Sequence, residues 1–198
     1  MKMILASSSP RRQKLLQLLD YPFDIMLPDV DESKLQPNGN PEQYCICLAE
    51  MKTYDISQQY PHALVIGADT IVVIENQILN KPNNSDHAIN MLEMLSGRTH
   101  QVYTGVCLKW MENNIQHSFA EITMVTFQKL AKEDILYYID TFPPYDKAGS
   151  YGIQDLSAVF VKSIQGCYDN VLGFPLSRFY QELKKLGINL LDSISESP

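Results

Sequence analysis

The segment Ser7-Ser8-Ser9-Pro10-Arg11-Arg12 sets three hydroxyls and two guanidinium groups between a short apolar run, Met3–Ala6, and an amphipathic one. A strand that hands the chain to a helix here would aim free N–H groups and the positive end of the helix dipole at an anion. The serines add donors, and Arg11 and Arg12 add planar forks that match phosphate oxygens. Cations in a first helical turn oppose the dipole by roughly 0.3–1 kcal/mol each. That placement calls for a reason outside the helix, with a solvated basic turn as the ordinary alternative.

Carboxylates form the second group. In Gly67-Ala68-Asp69-Thr70, Asp69 follows a buried apolar run, and the carboxyl end of a strand is where α/β folds place ligands. Asp29, Asp31 and Glu32 stand together in a polar stretch. Asp69 with Glu32 could hold a hard divalent cation through oxygen. Asp69 as a cap or turn residue, and the acidic trio as a solvated loop, stay open at this level. Lys52 and Lys81 are isolated cations, by default surface charges. The stretch Tyr145–Gln154 mixes small and aromatic residues, as loops that close over ligands do. No G-x-x-x-x-G-K-[ST], G-x-G-x-x-G or G-x-S-x-G occurs, so phosphate binding of the P-loop or Rossmann kind and a hydrolase nucleophile elbow are not indicated.

Periodicity supplies the elements that must position these groups. Met3–Ala6 reads as a buried strand, with Ser9 and Pro10 opening a helix to about Asp20. Phe23–Leu27 reads as a strand and Pro28–Pro41 as a loop. A helix is predicted from Pro41 to about Gln59 with Asn40 as its cap. Strands are predicted at Ala63–Gly67 and Ile71–Ile74, followed by a tight turn at Asn76-Gln77. Ser85–Leu95 carries helical spacing closed by Gly97. Gln101–Met111 and Ile115–Phe127 read as a long antiparallel pair. Lys132–Thr141 is a helix, Ala158–Ile164 a strand and Pro175–Leu186 a last helix. The alternation gives a mixed α/β fold on a curved sheet. One domain is expected over residues 1–190, with residues 191–198 as a C-terminal tail.

The chain has 198 residues, of which 45% are hydrophobic and 20% charged, with a net charge of −7. Such a chain can bury a core without staples. Its acidity argues against general nucleic-acid binding, which needs many neutralised phosphates. Cys45, Cys47, Cys107 and Cys167 lack zinc spacing and read as reduced thiols. His62, His87, His100 and His117 are scattered and read as structural or exposed. No 18-residue apolar run and no signal-peptide core occur, so a soluble cytoplasmic protein without membrane partners is expected.

Taken in order, the pieces resemble one family. SSSPRR at Ser7–Arg12, VDE at Val30–Glu32, LAxxK at Leu48–Lys52, GADT at Gly67–Thr70 and L-x-KP at Leu79–Pro82 all resemble the Maf family. So do LSG-x-x-H-x-V-x-TGV at Leu95–Val106, DKAGSYGIQ at Asp146–Gln154 and NVLGFP at Asn170–Pro175. The resemblance implies a nucleoside triphosphate pyrophosphatase on a mixed, strongly bent sheet flanked by helices, similar to inosine triphosphate pyrophosphatases. It implies a homodimer, a divalent cation (Mg²⁺ or Mn²⁺) and a nucleoside triphosphate substrate. Asp69 matches the catalytic carboxylate and Glu32 a metal-site carboxylate, with Asp69 as base or metal ligand left open. Ser8, Arg12, Lys52 and Lys81 match phosphate-contacting positions, with Arg11 nearby. Arg12, Thr70 and Gln154 match positions that set substrate choice, and resemble the branch acting on dTTP and UTP. The same chemistry on 7-methyl-GTP, and a nucleotide-binding regulator of septum formation, are the alternatives. Cys47, Thr53, Ser150 and Cys167 depart from the usual pattern, none of them at a proposed chemical group.

Overall fold

The computed structural model describes residues 1–37 and 39–190. The tail expected over 191–198 lies outside the described residues. The elements run β1 (Met3–Ala6), α1 (Pro10–Gln17), β2 (Asp24–Met26), α2 (Pro41–Gln59), β3 (Leu64–Ile74), β4 (Gln77–Leu79) and α3 (Ser85–Leu95). They continue as β5 (Thr99–Trp110), β6 (Ile115–Phe127), α4 (Lys132–Thr141), β7 (Val161–Gln165), α5 (Tyr168–Leu172) and α6 (Leu176–Lys185). The strands form one mixed sheet in the order β2-β1-β3-β5-β6-β7, with β4 also on β3. The fold is thus the mixed α/β sheet with flanking helices that the sequence predicts.

Local rules account for most boundaries. Asn40 caps α2 by accepting from the Gln43 N–H, and Pro41 takes the first helical position. Asn84 caps α3, which spans the predicted Ser85–Leu95, through the His87 N–H. Ser9 holds the cap position of α1, but its side chain makes no cap hydrogen bond. The hairpin turn into β4 falls on Glu75 and Asn76, both at positive φ, one residue before the predicted pair. The stretch predicted as one strand from Ala158 instead makes a 3₁₀ turn over Leu156–Phe160 and pairs only from Val161. The Asp155 side chain caps that turn, an interaction that periodicity does not register.

The two faces of the sheet follow the strand period of two. Ile4, Ala6 and Val65 pack toward Ile56 of α2. Met3, Leu5, Leu64 and Ile66 face Leu16 of α1 and Phe179 and Leu183 of α6. Phe174 and Phe179 are fully buried with ring centroids 5.0 Å apart, each contributing roughly 1.5–3 kcal/mol by burial. A second apolar cluster joins α3 and α4 to Val72, Val102, Val125 and Phe127.

His100 lies in that second region. It is buried, stacks edge-on against Phe127 and bonds the Tyr151 hydroxyl at 2.7 Å. Burial pushes its imidazole down to about 4. The unfolded chain binds this proton near pH 6.5 while the folded protein refuses it until about pH 4, so stability present above 6.5 is lost as the pH falls. Unfolding free energies from urea titrations are expected to drop by about 1.4 kcal/mol per pH unit from this group between about pH 6 and pH 4.5. His100→Gln, which cannot titrate, should flatten that slope; an unchanged slope would assign the acid sensitivity elsewhere.

Candidate active site

A break along one edge of β3 creates the site. β5 covers the other edge from Val65 to Val73. On the open edge β1 pairs only as far as Ala6 opposite Gly67, and β4 pairs only from Val72 onward, which lies opposite its last residue, Leu79. Among the described residues, 68–71 therefore meet no strand on that side. Asp69 is consequently in the middle of one eleven-residue strand, not at the carboxyl end of a shorter strand as predicted from sequence. The two bordering strands deliver the cations. Ser7–Arg12 leaves the end of β1, and Lys81 follows the end of β4.

The resulting cleft, about 420 Å³, is lined by Ser8, Arg11, Arg12, Glu32, Lys52, Asp69, Thr70 and Lys81. The predicted groups thus meet in one place, with one exception. Gln154 is exposed and does not line the cleft, although Tyr151, Gly152 and Ile153 beside it do.

Strand alternation sends Asp69 and Thr70 to opposite faces. Asp69 points to the α2 side. There, Lys52 Nζ lies 2.5 Å from Asp69 Oδ1 and 2.8 Å from Glu32 Oε1. Lys52 is not a surface charge: with Cys45, Leu48, Ala49, Thr53 and Ile56 it forms the buried face of α2. Two glycines set its reach. A Cβ on Gly67 would sit 2.2 Å from Thr53 Oγ1, and one on Gly105 would sit 2.4 Å from the Cys45 carbonyl oxygen. Their bare backbones let α2 lie directly on β3 and β5. Burial alone would raise the Glu32 carboxyl, but the hydrogen bond and charge of Lys52, then Lys81 and Arg12, hold it below the ordinary range.

Thr70 points to the other face, where Arg12 is anchored. Arg12 Nε donates to the Gly173 carbonyl at 2.7 Å and Nη2 to Thr70 Oγ1 at 2.9 Å. Burial, opposed by the charge of Asp69, pulls its guanidinium below the usual value. Arg11 bonds Asp146 at 2.8 Å. Burial would raise that carboxyl, but the bonds from Lys147 and Arg11 keep it low. These partners explain the two cations at the start of α1. The sequence reading had not singled out Asp146, Lys147, Thr104, Asn170 or Gly173. Asp146 and Lys147 fall in the mixed loop Tyr145–Gln154 and in the DKAGSYGIQ segment, and Asn170 and Gly173 in NVLGFP, without a role for any of them being read there.

The donor set can be tested against a metal. Among the described residues no three His, Cys, Asp or Glu side chains gather as a cation cage. Two carboxylates, Asp69 and Glu32, do converge on one point, the Lys52 ammonium. That pair fits Mg²⁺ or Mn²⁺, since Mg²⁺ keeps several waters and is held by one or two carboxylates plus substrate phosphates.

A family model described as Maf-like protein matches residues 2–186. The chain belongs to the Maf family. It is 48% identical over 186 residues to a protein of Geobacillus sp. (strain WCH70) named dTTP/UTP pyrophosphatase, covering 94% of this chain and 98% of that one. It is 43% identical to the protein of that name from Carboxydothermus hydrogenoformans, covering 94% of this chain and all of the relative. A Bacillus cereus relative of the same name is 44% identical over 96% of this chain and 97% of its own. Among solved structures, the Staphylococcus aureus Ham1 protein aligns with 64% of this chain and 72% of its own, at 13% identity and a TM-score of 0.44. No helix among the described residues of this Maf protein is long and apolar enough to cross a membrane.

Proposed function

We propose that this Maf protein is a nucleoside triphosphate pyrophosphatase that hydrolyses dTTP and UTP to the monophosphate and pyrophosphate. The observation that carries the chemistry is the Lys52 ammonium joined to Asp69 and Glu32 at the break in the sheet, between the cations that follow β1 and β4. The names of relatives 43–48% identical support the substrate class.

In this reading Ser8, Arg11, Lys81 and the Lys52 ammonium receive the triphosphate. Arg12, bonded to Gly173 and Thr70, faces the rest of the nucleotide with its remaining N–H groups. Lys52 takes Asp69 Oδ1 and leaves Oδ2 to orient a water and accept its proton as the water attacks the α-phosphate. Glu32 and Asp69 would hold a divalent cation, Mg²⁺ or Mn²⁺, which when bound neutralises phosphate charge and makes a bound water more acidic. Gln154 keeps a place in substrate choice only if substrate draws its loop inward. Cytoplasmic residence is proposed on the four free cysteines, which suit a reducing compartment, and a homodimer on the family resemblance.

A panel of nucleoside triphosphates with Mg²⁺ or Mn²⁺ tests the function. Pyrophosphate release from dTTP and UTP is expected, and release from a purine analogue alone overturns the substrate class. Arg12→Ala, which empties the bonds to Gly173 and Thr70, is expected to lower kcat/KM for both substrates at least tenfold, about the loss of one charged hydrogen bond. An unchanged kcat/KM would remove Arg12 from recognition.

A further inference from the structure

Thr70 does not stand alone behind the cleft. It lies directly opposite Thr104 in the β3–β5 register, with the two Oγ1 atoms 3.0 Å apart. Thr104 is fully buried, and its Oγ1 is 3.1 Å from the main-chain oxygen of Asn170. Asn170 is itself pinned: its Nδ2 donates to Val102 O and to Thr123 Oγ1, both at 3.0 Å. Arg12 Nη2 donates to Thr70 Oγ1 from the other side.

Each threonine has one hydroxyl proton to give, and counting bonds assigns both protons. If Thr104 donates to Asn170 O, Thr70 donates to Thr104, and both bonds are near 3.0 Å. In the reverse arrangement Thr104 donates to Thr70. Within the protein the Thr70 proton then has only Gly173 O, 3.5 Å away and already accepting from Arg12 Nε at 2.7 Å. The first arrangement makes two good bonds and the second one, so protons run from Arg12 through Thr70 and Thr104 to Asn170. Thr70 is then left with a lone pair and no proton to offer.

We propose that Thr104 is a positioning residue for base selection: by accepting the hydrogen bond of the Thr70 hydroxyl it makes Thr70 an acceptor toward the cleft, which suits a pyrimidine bearing N–H at ring position 3. Uracil and thymine carry that donor between two carbonyl oxygens, whereas cytosine presents a bare ring nitrogen there. The remaining N–H groups of Arg12 complement the carbonyl oxygens. A lone pair facing a lone pair leaves both unpaired, which is how a hydrogen-bonding site rejects an analogue. Thr70 lies on the face of β3 opposite Asp69, so this selection is separate from the proton transfer. The inference rests on the dTTP/UTP reading above.

The test measures pyrophosphate release by the full chain on UTP, CTP and 3-methyl-UTP. In the wild type, 3-methyl-UTP should be used at least about tenfold less well than UTP, a readout that involves no variant and no question of folding. Thr104→Val removes the hydroxyl at nearly constant shape and frees the Thr70 proton. It should cut the UTP-to-CTP ratio of kcat/KM about tenfold, through KM and with kcat on UTP within about threefold. Thr104→Ser should keep the ratio. Circular dichroism checks the fold, with Thr104→Ala as the second variant. Equal use of UTP and 3-methyl-UTP overturns the inference, as does an unmoved ratio in a folded Thr104→Val. A wild type that releases no pyrophosphate from UTP or dTTP instead overturns the function proposed above, and this inference with it.

Discussion

Asp69→Asn is expected to lower pyrophosphate release from dTTP and UTP by about 10²–10⁴-fold, the usual worth of a positioned acid–base group. The substitution keeps the shape of the side chain and an oxygen for Lys52. It removes the negative charge and the proton acceptor. Lys52 retains Glu32 at 2.8 Å, so the ammonium is not left unpaired, a situation that costs about 3–5 kcal/mol at buried pairs. The thermal midpoint should therefore move by only a few degrees while turnover collapses. Initial rates and a melting curve on the same preparation decide it. Turnover within tenfold of wild type would take Asp69 out of the mechanism.

Gly105→Ala should act at a distance from the chemistry. Its new methyl would meet the carbonyl carbon and oxygen of Cys45 at 2.5 and 2.4 Å. Both are main-chain atoms of α2 and cannot rotate aside, so the helix must lift from the sheet. Overpacking of this kind costs about 1–3 kcal/mol, or about 2–4 °C in Tm for each kcal/mol at this chain length. The larger effect should fall on activity. Lys52 lies two turns further along α2, and its bonds to Asp69 and Glu32 depend on how closely the helix sits. A displacement of about 1 Å at a catalytic group can cost 10²-fold. Calorimetry with kcat measured below Tm checks both parts. A variant with native Tm and kcat would show that α2 does not depend on the bare backbone at Gly105.

Much of the machinery was legible without coordinates because it is local chemistry. Asn40 before Pro41 starts a helix wherever the chain goes, since its side chain serves the Gln43 N–H three residues away. The strand period assigned the long β5–β6 pair, Ser7–Arg12 read as an anion site from its residue types, and the resemblance to Maf motifs joined Ser8, Arg12, Glu32, Lys52, Asp69 and Lys81 in one site. Other readings failed for lack of long-range information. Lys52 looked like a surface charge because its buried partner Asp69 is 17 positions away and on another element. The strand through Asp69 looked broken because Gly67 is a weak strand former, yet β5 pairs along its length and holds it extended.

By itself the sequence determined which groups exist, where helices begin and that strands and helices alternate, because these depend on contacts a few residues apart. The tertiary structure alone decided that β1 and β4 stop short of each other and open the edge of β3. It also decided that α2 sinks onto two glycines to bring Lys52 to Asp69, and that Gln154 faces solvent beside a loop that lines the cleft. It alone set Thr70 between Arg12 and Thr104, bonds that span 58 and 34 positions. Register and the depth of packing set those distances, and both are properties of elements meeting in space.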